Sequence, residues 1–218
     1  SAKGIVVTDD KGQDYLDFYG GHAVISIGHT HPHYVKRLKD QLDKIGFYSN
    51  AVQNPLQQEL AEKLGVASNC EDYNLFMCNS GAEANENALK MASFVTGKSK
   101  IIAFNNGFHG RTSAAVAATD NPSINAEINQ QHEVVFLDLN DIKNFEREIS
   151  KNICAVIIET IQGVGGLDEP TTEFLQKVAA LCKENDALLI ADEVQSGFGR
   201  SGKFFGFQHH NIQPDIIS

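Results

Sequence analysis

The sequence predicts an α/β fold, with a mostly parallel sheet carrying helices on both faces and an N-terminal α+β segment ahead of it. Two observations carry this expectation. From Tyr73 onward, apolar runs of strand length recur and helical repeats separate most of them. Strands that alternate with helices need right-handed crossovers, and those pair strands in parallel. Ahead of that alternation the pattern is different, a hairpin-like stretch followed by amphipathic helices, which predicts a boundary between residues 1–65 and residues 66–218.

The elements follow in chain order. "GIVVTDDKGQDYLDF" (4–18) reads as two short strands around a DDKG turn. "HPHYVKRLKDQLDKIG" (31–46) has Pro32 early and aligns Val35, Leu38, Leu42 and Ile45. "NPLQQELAEKLG" (54–65) has Asn54 as a cap, Pro55 at the first helical position, Leu56, Leu60 and Leu64 in line, and Gly65 as the stop. "GAEANENALKMASFVTG" (81–97) puts Ala84, Ala88, Met91, Ala92 and Val95 on one face. The strand-like runs are "YNLFMC", "KIIAF", "EVVFL", "CAVIIE", "ALLIAD" and "DIIS". Before "ALLIAD" lies "TTEFLQKVAALCKEN", with Phe174, Leu175, Val178, Leu181 and Cys182 on a common face.

Composition narrows the function. Of the 218 residues, 18 are basic and 28 acidic, a net charge of −10 that repels phosphate backbones and anionic lipid. Nucleic-acid and membrane partners are therefore not expected. No run approaches membrane-spanning length and no signal-peptide pattern opens the chain. Cys70, Cys78, Cys154 and Cys182 form no C-x-x-C pair, Cys78 and Cys154 lie in apolar strand-like runs and Cys182 on an apolar helix face, so buried free thiols in the cytoplasm are expected.

In parallel sheets, ligands bind beyond the carboxyl ends of the strands. The segments leaving those ends are "NSGAEAN", "NNGFHGRT", "ETIQGVGG" and "DEVQSGFGR", each mixing glycines with polar or aromatic residues. The first is a strand, a tight Asn79-Ser80-Gly81 turn and a helix start, which suits an anion and phosphate above all; its plainer reading is a Ser80 helix cap. Phe108 can stack on a planar ring and Arg111 can clamp a carboxylate, although for this segment taken alone a tucked aromatic and a rim salt bridge are the simpler explanation. Asp192 ends an apolar run, and an unpaired buried charge costs several kcal/mol.

Two competing chemistries fit less well. Hydrophobic residues before Asp192-Glu193 also describe the magnesium strand of P-loop nucleotidases, and Ala92 to Ser99 imitates the phosphate loop. That loop must follow a strand and open a helix, whereas here it closes a helix. His29, His31 and His33 lie on a turn and a proline helix start without metal-ligand spacing, so no metal is expected. A phosphate nest, a ring plate, a carboxylate-clamping arginine and a strand-end aspartate together suit pyridoxal 5′-phosphate. Its ring nitrogen withdraws electrons only while protonated, and a buried aspartate keeps the proton there.

These motifs, with "GHAVISIGHTHP", resemble the class III aminotransferases, a fold type I group of pyridoxal-phosphate enzymes, and within it the acetylornithine/succinylornithine aminotransferases of arginine biosynthesis. The resemblance runs from about Gly4 to the last residue. It implies that Ser80, Gly81 and Ala82 hold the cofactor phosphate, that Phe108 and Val194 sandwich the ring, that Asp192 pairs with the ring nitrogen, and that Gln195 bonds the phenolic oxygen. Arg111 then binds the substrate α-carboxylate and Glu159 lies on the substrate side. The implied reaction transfers an amino group from N-acetylornithine or N-succinylornithine to 2-oxoglutarate in a cytoplasmic homodimer with the cofactor site at the interface.

Two departures accompany the resemblance. Val164 stands in "QGVGG" where the family commonly has glutamate, which loosens the implied donor specificity. The family's Schiff-base lysine, its phosphate-binding threonine from the partner subunit and its small C-terminal domain are all expected beyond Ser218. Ornithine or 4-aminobutyrate as donor stays open, as do a non-catalytic scaffold of the same fold and, more distantly, a P-loop nucleotidase.

Overall fold

The computed structural model describes residues 1–49 and 51–218, whose contacts divide the chain into two units, Ser1–Asn74 and Leu75–Ser218. Among the described residues, no helix is long and apolar enough to cross a membrane.

The first unit begins with an antiparallel three-stranded sheet, β1 (Ala2–Lys3), β2 (Val6–Thr8) and β3 (Asp14–Leu16). The expected hairpin is β2–β3, with Val6 opposite Leu16, and Asp9 fixes its turn by accepting the Lys11 and Gln13 amides at 2.9 Å. The two-residue β1 is too short to leave a periodic signal. A single irregular turn, α1 (Gly20–Ala23), precedes α2 (Pro32–Leu42) and α3 (Pro55–Ser68). His29 is engaged by Asp17, Nε2 to Oδ2 at 2.7 Å.

Asn54 caps α3 as expected, its Oδ1 accepting the Leu56 amide at 3.0 Å. Gly65, however, is not the stop. The helix continues to Ser68 and ends at Asn69, which adopts the left-handed conformation at φ 60°. An asparagine tolerates that region almost as glycine does. The Gly65 carbonyl accepts the Cys70 amide at 2.9 Å as the chain turns back.

The second unit holds a five-stranded, fully parallel sheet in the order β5-β4-β6-β7-β8. Its strands are β4 (Lys100–Phe104), β5 (Val134–Leu137), β6 (Ile153–Glu159), β7 (Leu188–Asp192) and β8 (Ile216–Ile217). Its helices are α4 (Gly81–Thr96), α5 (Ser113–Ala117), α6 (Ile142–Glu148) and α7 (Thr172–Glu184). Side chains alternate across a strand, so each strand feeds two layers. Ile101 and Ala103 of β4, Ile157 of β6 and Ile190 of β7 pack with Ala88, Leu89 and Ala92 of α4 and Ala114 of α5. Phe104 instead meets Phe145 of α6 and Phe174 of α7, with ring centroids 5.7 to 6.4 Å apart. Helices thus cover both faces, one layer lined by small residues and the other by aromatic rings.

Three expectations need correction here. "YNLFMC" forms no strand; a strand exists only where a neighbour takes its backbone groups, and none of the described strands pairs with it. Cys78 within it is exposed, while Cys70, Cys154 and Cys182 are buried free thiols. On α4, Met91 and Val95 are 53% and 64% exposed, and the buried stripe is Asn85, Ala88, Leu89 and Ala92. The apolar count drew the face one residue too far round, because a polar residue belongs to it.

The imitation phosphate loop is accounted for. Residues up to Thr96 belong to α4, and the Lys98 ammonium donates to the carbonyls of Ile153, Asn185 and Asp186 at 2.7 to 3.2 Å. Lys98 thereby ties the start of β6 to the segment leaving α7.

Candidate active site

β6 and β7 run in parallel register and end side by side at Glu159 and Asp192. Both carboxylates are buried, as is Glu193. Burial without partners would be prohibitive, so their hydrogen bonds define what each does.

Asp192 takes three donors. Its Oδ2 accepts His109 Nδ1–H at 2.8 Å and Asn85 Nδ2–H at 2.7 Å, and its Oδ1 accepts the Val194 amide at 3.1 Å. An ionised carboxylate offers about four acceptor positions, which leaves one open on Oδ1. His109 and Asn85 had no role in the sequence reading. His109 stands inside a motif already singled out, and Asn85 lies one turn before Ala88 on the buried stripe, which is the pattern that reveals it.

Among the described residues Glu193 forms no salt bridge and is held by neutral donors. Oε2 accepts Ser196 Oγ–H at 2.6 Å and the Gly206 amide at 2.8 Å, while Oε1 accepts the Phe207 amide at 2.8 Å and Thr160 Oγ1–H at 3.2 Å. These four donors anchor the loop after β7. Glu159 has the same kind of role for two other segments, accepting the Phe108 amide at 2.9 Å and the Gly163 amide at 3.0 Å. Burial pushes its carboxyl above the usual range and the Asp192 charge adds to that, against opposition from His109 and the two amides.

The N-terminus of α4 stands beside this group. Ser80 caps it, Oγ accepting the Glu83 amide at 3.2 Å and its carbonyl the Ala84 amide at 3.0 Å. Glu83 reaches back to the Asn79 amide, Oε2 at 2.6 Å. Among the described residues the Gly81 and Ala82 amides have no acceptor and remain as the open donors of the first turn, where the helix dipole favours an anion. Contacts closer than a side chain allows hold the surrounding loops. A Cβ on Gly81 would lie 2.6 Å from Val194 Cγ1, and one on Gly110 would lie 2.6 Å from Ala82 Cβ, with Gly110 at φ +135°. A Cβ on Gly163 would meet Gln195 Oε1 at 2.0 Å.

Glu86 completes the frame. It accepts the Ala114 and Ala115 amides at 2.9 and 3.0 Å and Thr112 Oγ1–H at 2.7 Å, capping α5 from a neighbouring helix. Burial raises its carboxyl, but these donors outweigh burial and hold it below the usual range.

Of the residues singled out from sequence, Gly81, Ala82, Phe108, Glu159, Asp192, Val194 and Gln195 are thus linked through direct contacts of their segments. Ser80 is exposed at the helix cap, Phe108 and Gln195 are half-buried, and Val194 is 48% exposed. Arg111 is exposed, next to Thr112, whose hydroxyl also donates to the Ala82 carbonyl at 3.3 Å. The arrangement offers an anion cradle, a half-exposed aromatic face and an aspartate with a free acceptor position. That donor set fits the phosphate and protonated ring nitrogen of pyridoxal phosphate.

The comparisons with known proteins agree. The family model described as aminotransferase class-III matches residues 1–218. The acetylornithine aminotransferase of Bacillus subtilis (strain 168) is 45% identical over 221 residues, which cover 100% of this chain and 56% of the relative. That of Aquifex aeolicus (strain VF5) is 40% identical over 222 residues, with coverage of 99% and 59%. Among solved structures, an amine transaminase from an uncultivated Pseudomonas species in its PLP-bound form superposes with a TM-score of 0.92 at 28% identity, covering 100% of this chain and 56% of that one. The ornithine aminotransferase of Toxoplasma gondii ME49 gives 0.89 at 30% identity, with coverage of 100% and 53%. The chain therefore spans a little over half the length of these relatives.

Proposed function

The chain belongs to the class III aminotransferases, and from that premise we propose that it is the cofactor-binding portion of a pyridoxal-phosphate enzyme acting on an N-acylated ornithine. N-Acetylornithine is the first-choice donor and 2-oxoglutarate the acceptor, within arginine metabolism. The similarity to curated acetylornithine aminotransferases supports the donor class. A cytoplasmic homodimer belongs to the same reading.

One observation carries the proposal. A buried aspartate at the end of β7 keeps one acceptor position open within the cluster that holds the α4 N-terminus. When bound, the cofactor supplies an electron sink for the carbanion that forms beside the transferred amino group. Asp192 holds a proton on the ring nitrogen and so keeps that sink effective. The Gly81 and Ala82 amides, with the Ser80 turn, bind the phosphate. Phe108 and Val194 orient the ring from its two faces and keep water off them, and Gln195 donates to the phenolic oxygen. Arg111, exposed and able to form a bidentate pair, positions the substrate carboxylate. Glu159 sets the mouth of the site by fixing the Phe108 and Gly163 backbone.

The test uses the complete protein. With pyridoxal phosphate it develops a near-visible absorption band and transfers the amino group of N-acetylornithine faster than that of ornithine or 4-aminobutyrate. Asp192→Asn keeps the shape of the side chain and removes its charge, and kcat falls at least about 100-fold. Wild-type turnover in that variant rejects the electrostatic role of Asp192.

A further inference from the structure

Asn85 faces inward from α4 and is 1% exposed. A polar side chain buried to that degree must satisfy its hydrogen-bonding groups, and all of them are accounted for. Nδ2 donates to Asp192 Oδ2 at 2.7 Å and to the His109 carbonyl at 2.8 Å. Oδ1 accepts Ser218 Oγ–H at 2.6 Å. Both partners of Nδ2 are acceptors and the partner of Oδ1 is a donor, so the amide has one orientation.

This single side chain meets the Phe108–Gly110 loop, the end of β7 and the residue following β8. Its effect on Asp192 is asymmetric. Oδ2 carries two side-chain donors, Asn85 and His109, whereas Oδ1 carries one backbone amide. A carboxylate rotates about χ2 within a broad well, so it is the donors that set its plane. We propose that Asn85 is a positioning residue for Asp192: with His109 it saturates Oδ2 and turns Oδ1 outward as the acceptor for the ring nitrogen. Through Ser218 it also sets this orientation relative to β8. The inference rests on the cofactor reading above.

The test compares three variants of the complete protein loaded with pyridoxal phosphate. Asn85→Leu keeps the volume but removes both donors. Asn85→Ala keeps the helix and serves if the leucine variant does not fold. Ala92→Gly loosens the same buried stripe of α4 two turns away without touching the network. In either Asn85 variant kcat falls about 10- to 100-fold, the loss expected for one hydrogen bond to a buried charge, while KM stays within about threefold. The absorption band moves toward that of the cofactor with an unprotonated ring nitrogen. Ala92→Gly lowers the thermal midpoint and leaves kcat and the band in place.

A wild-type band and kcat in both Asn85 variants overturn the inference, as does an equal change in Ala92→Gly. If the wild-type protein itself shows no cofactor band, the parent reading falls and this inference falls with it. A wild-type band with unaffected Asn85 variants removes only the positioning role.

Discussion

The two units of this chain are written in the same sequence language and end with opposite burial. α2 and α4 are both amphipathic helices with clean start signals. α4 buries Ala88, Leu89 and Ala92 against the sheet, whereas α2 leaves Leu38 and Leu42 at 47% and 68% exposure. Among the described residues of Ser1–Asn74, only Ser68 and Cys70 are buried. Periodicity states that a face favours burial; it does not say against what. In the second unit the answer lies within the same stretch of chain, because alternating strands and helices supply each face with its cover. The three short strands of the first unit supply none.

This contrast can be tested by stability. In the 218-residue chain, Phe174→Ala removes one ring of the Phe104–Phe145–Phe174 triad and lowers unfolding free energy by about 3–5 kcal/mol, read from the urea midpoint. Leu42→Ser in the same chain changes that free energy by less than about 0.5 kcal/mol, the range of surface substitutions. A core-sized loss there would erase the difference between the units.

The smallest effect concerns pH. The folded carboxyl of Glu86 lies below its ordinary value, so the unfolded chain binds more protons in the acid range. Its contribution is therefore complete above the ordinary glutamate range of about 4.3 and is lost as pH falls through the folded value. Glu86→Gln lowers the midpoint at neutral pH and flattens the acid slope, so the two curves converge on acidification. Asn54, which caps α3 in the first unit, is neutral and contributes no such slope.

The sequence reading was most accurate where local pattern and tertiary cover coincide. The strands from β4 to β8 fell where apolar runs and turn residues placed them, and three of the four glycine-bearing segments follow β4, β6 and β7, whereas the one that opens α4 follows no strand. It missed where the answer depended on partners distant in sequence. "YNLFMC" has strand composition, yet no described strand takes up its backbone. Asn85 went unnoticed because a search for apolar residues skips the one polar member of the stripe, whose partners lie 24 to 133 positions away. Glu193 looked like a neighbour of Asp192, but three of its four donors, from Thr160, Gly206 and Phe207, come from segments whose approach no local rule predicts.

The cysteines have a practical consequence. Cys70, Cys154 and Cys182 are shielded from reagents, and burial pushes the Cys154 thiol up to about 11 and that of Cys182 higher still. Alkylation proceeds through the thiolate, so these three react slowly while the fold persists. Cys78 is exposed, with Sγ 3.6 Å from the Ser80 carbonyl at the cap of α4. A maleimide dye added to the native protein is thus expected to attach at Cys78, beside the cap of α4, without any engineered mutation.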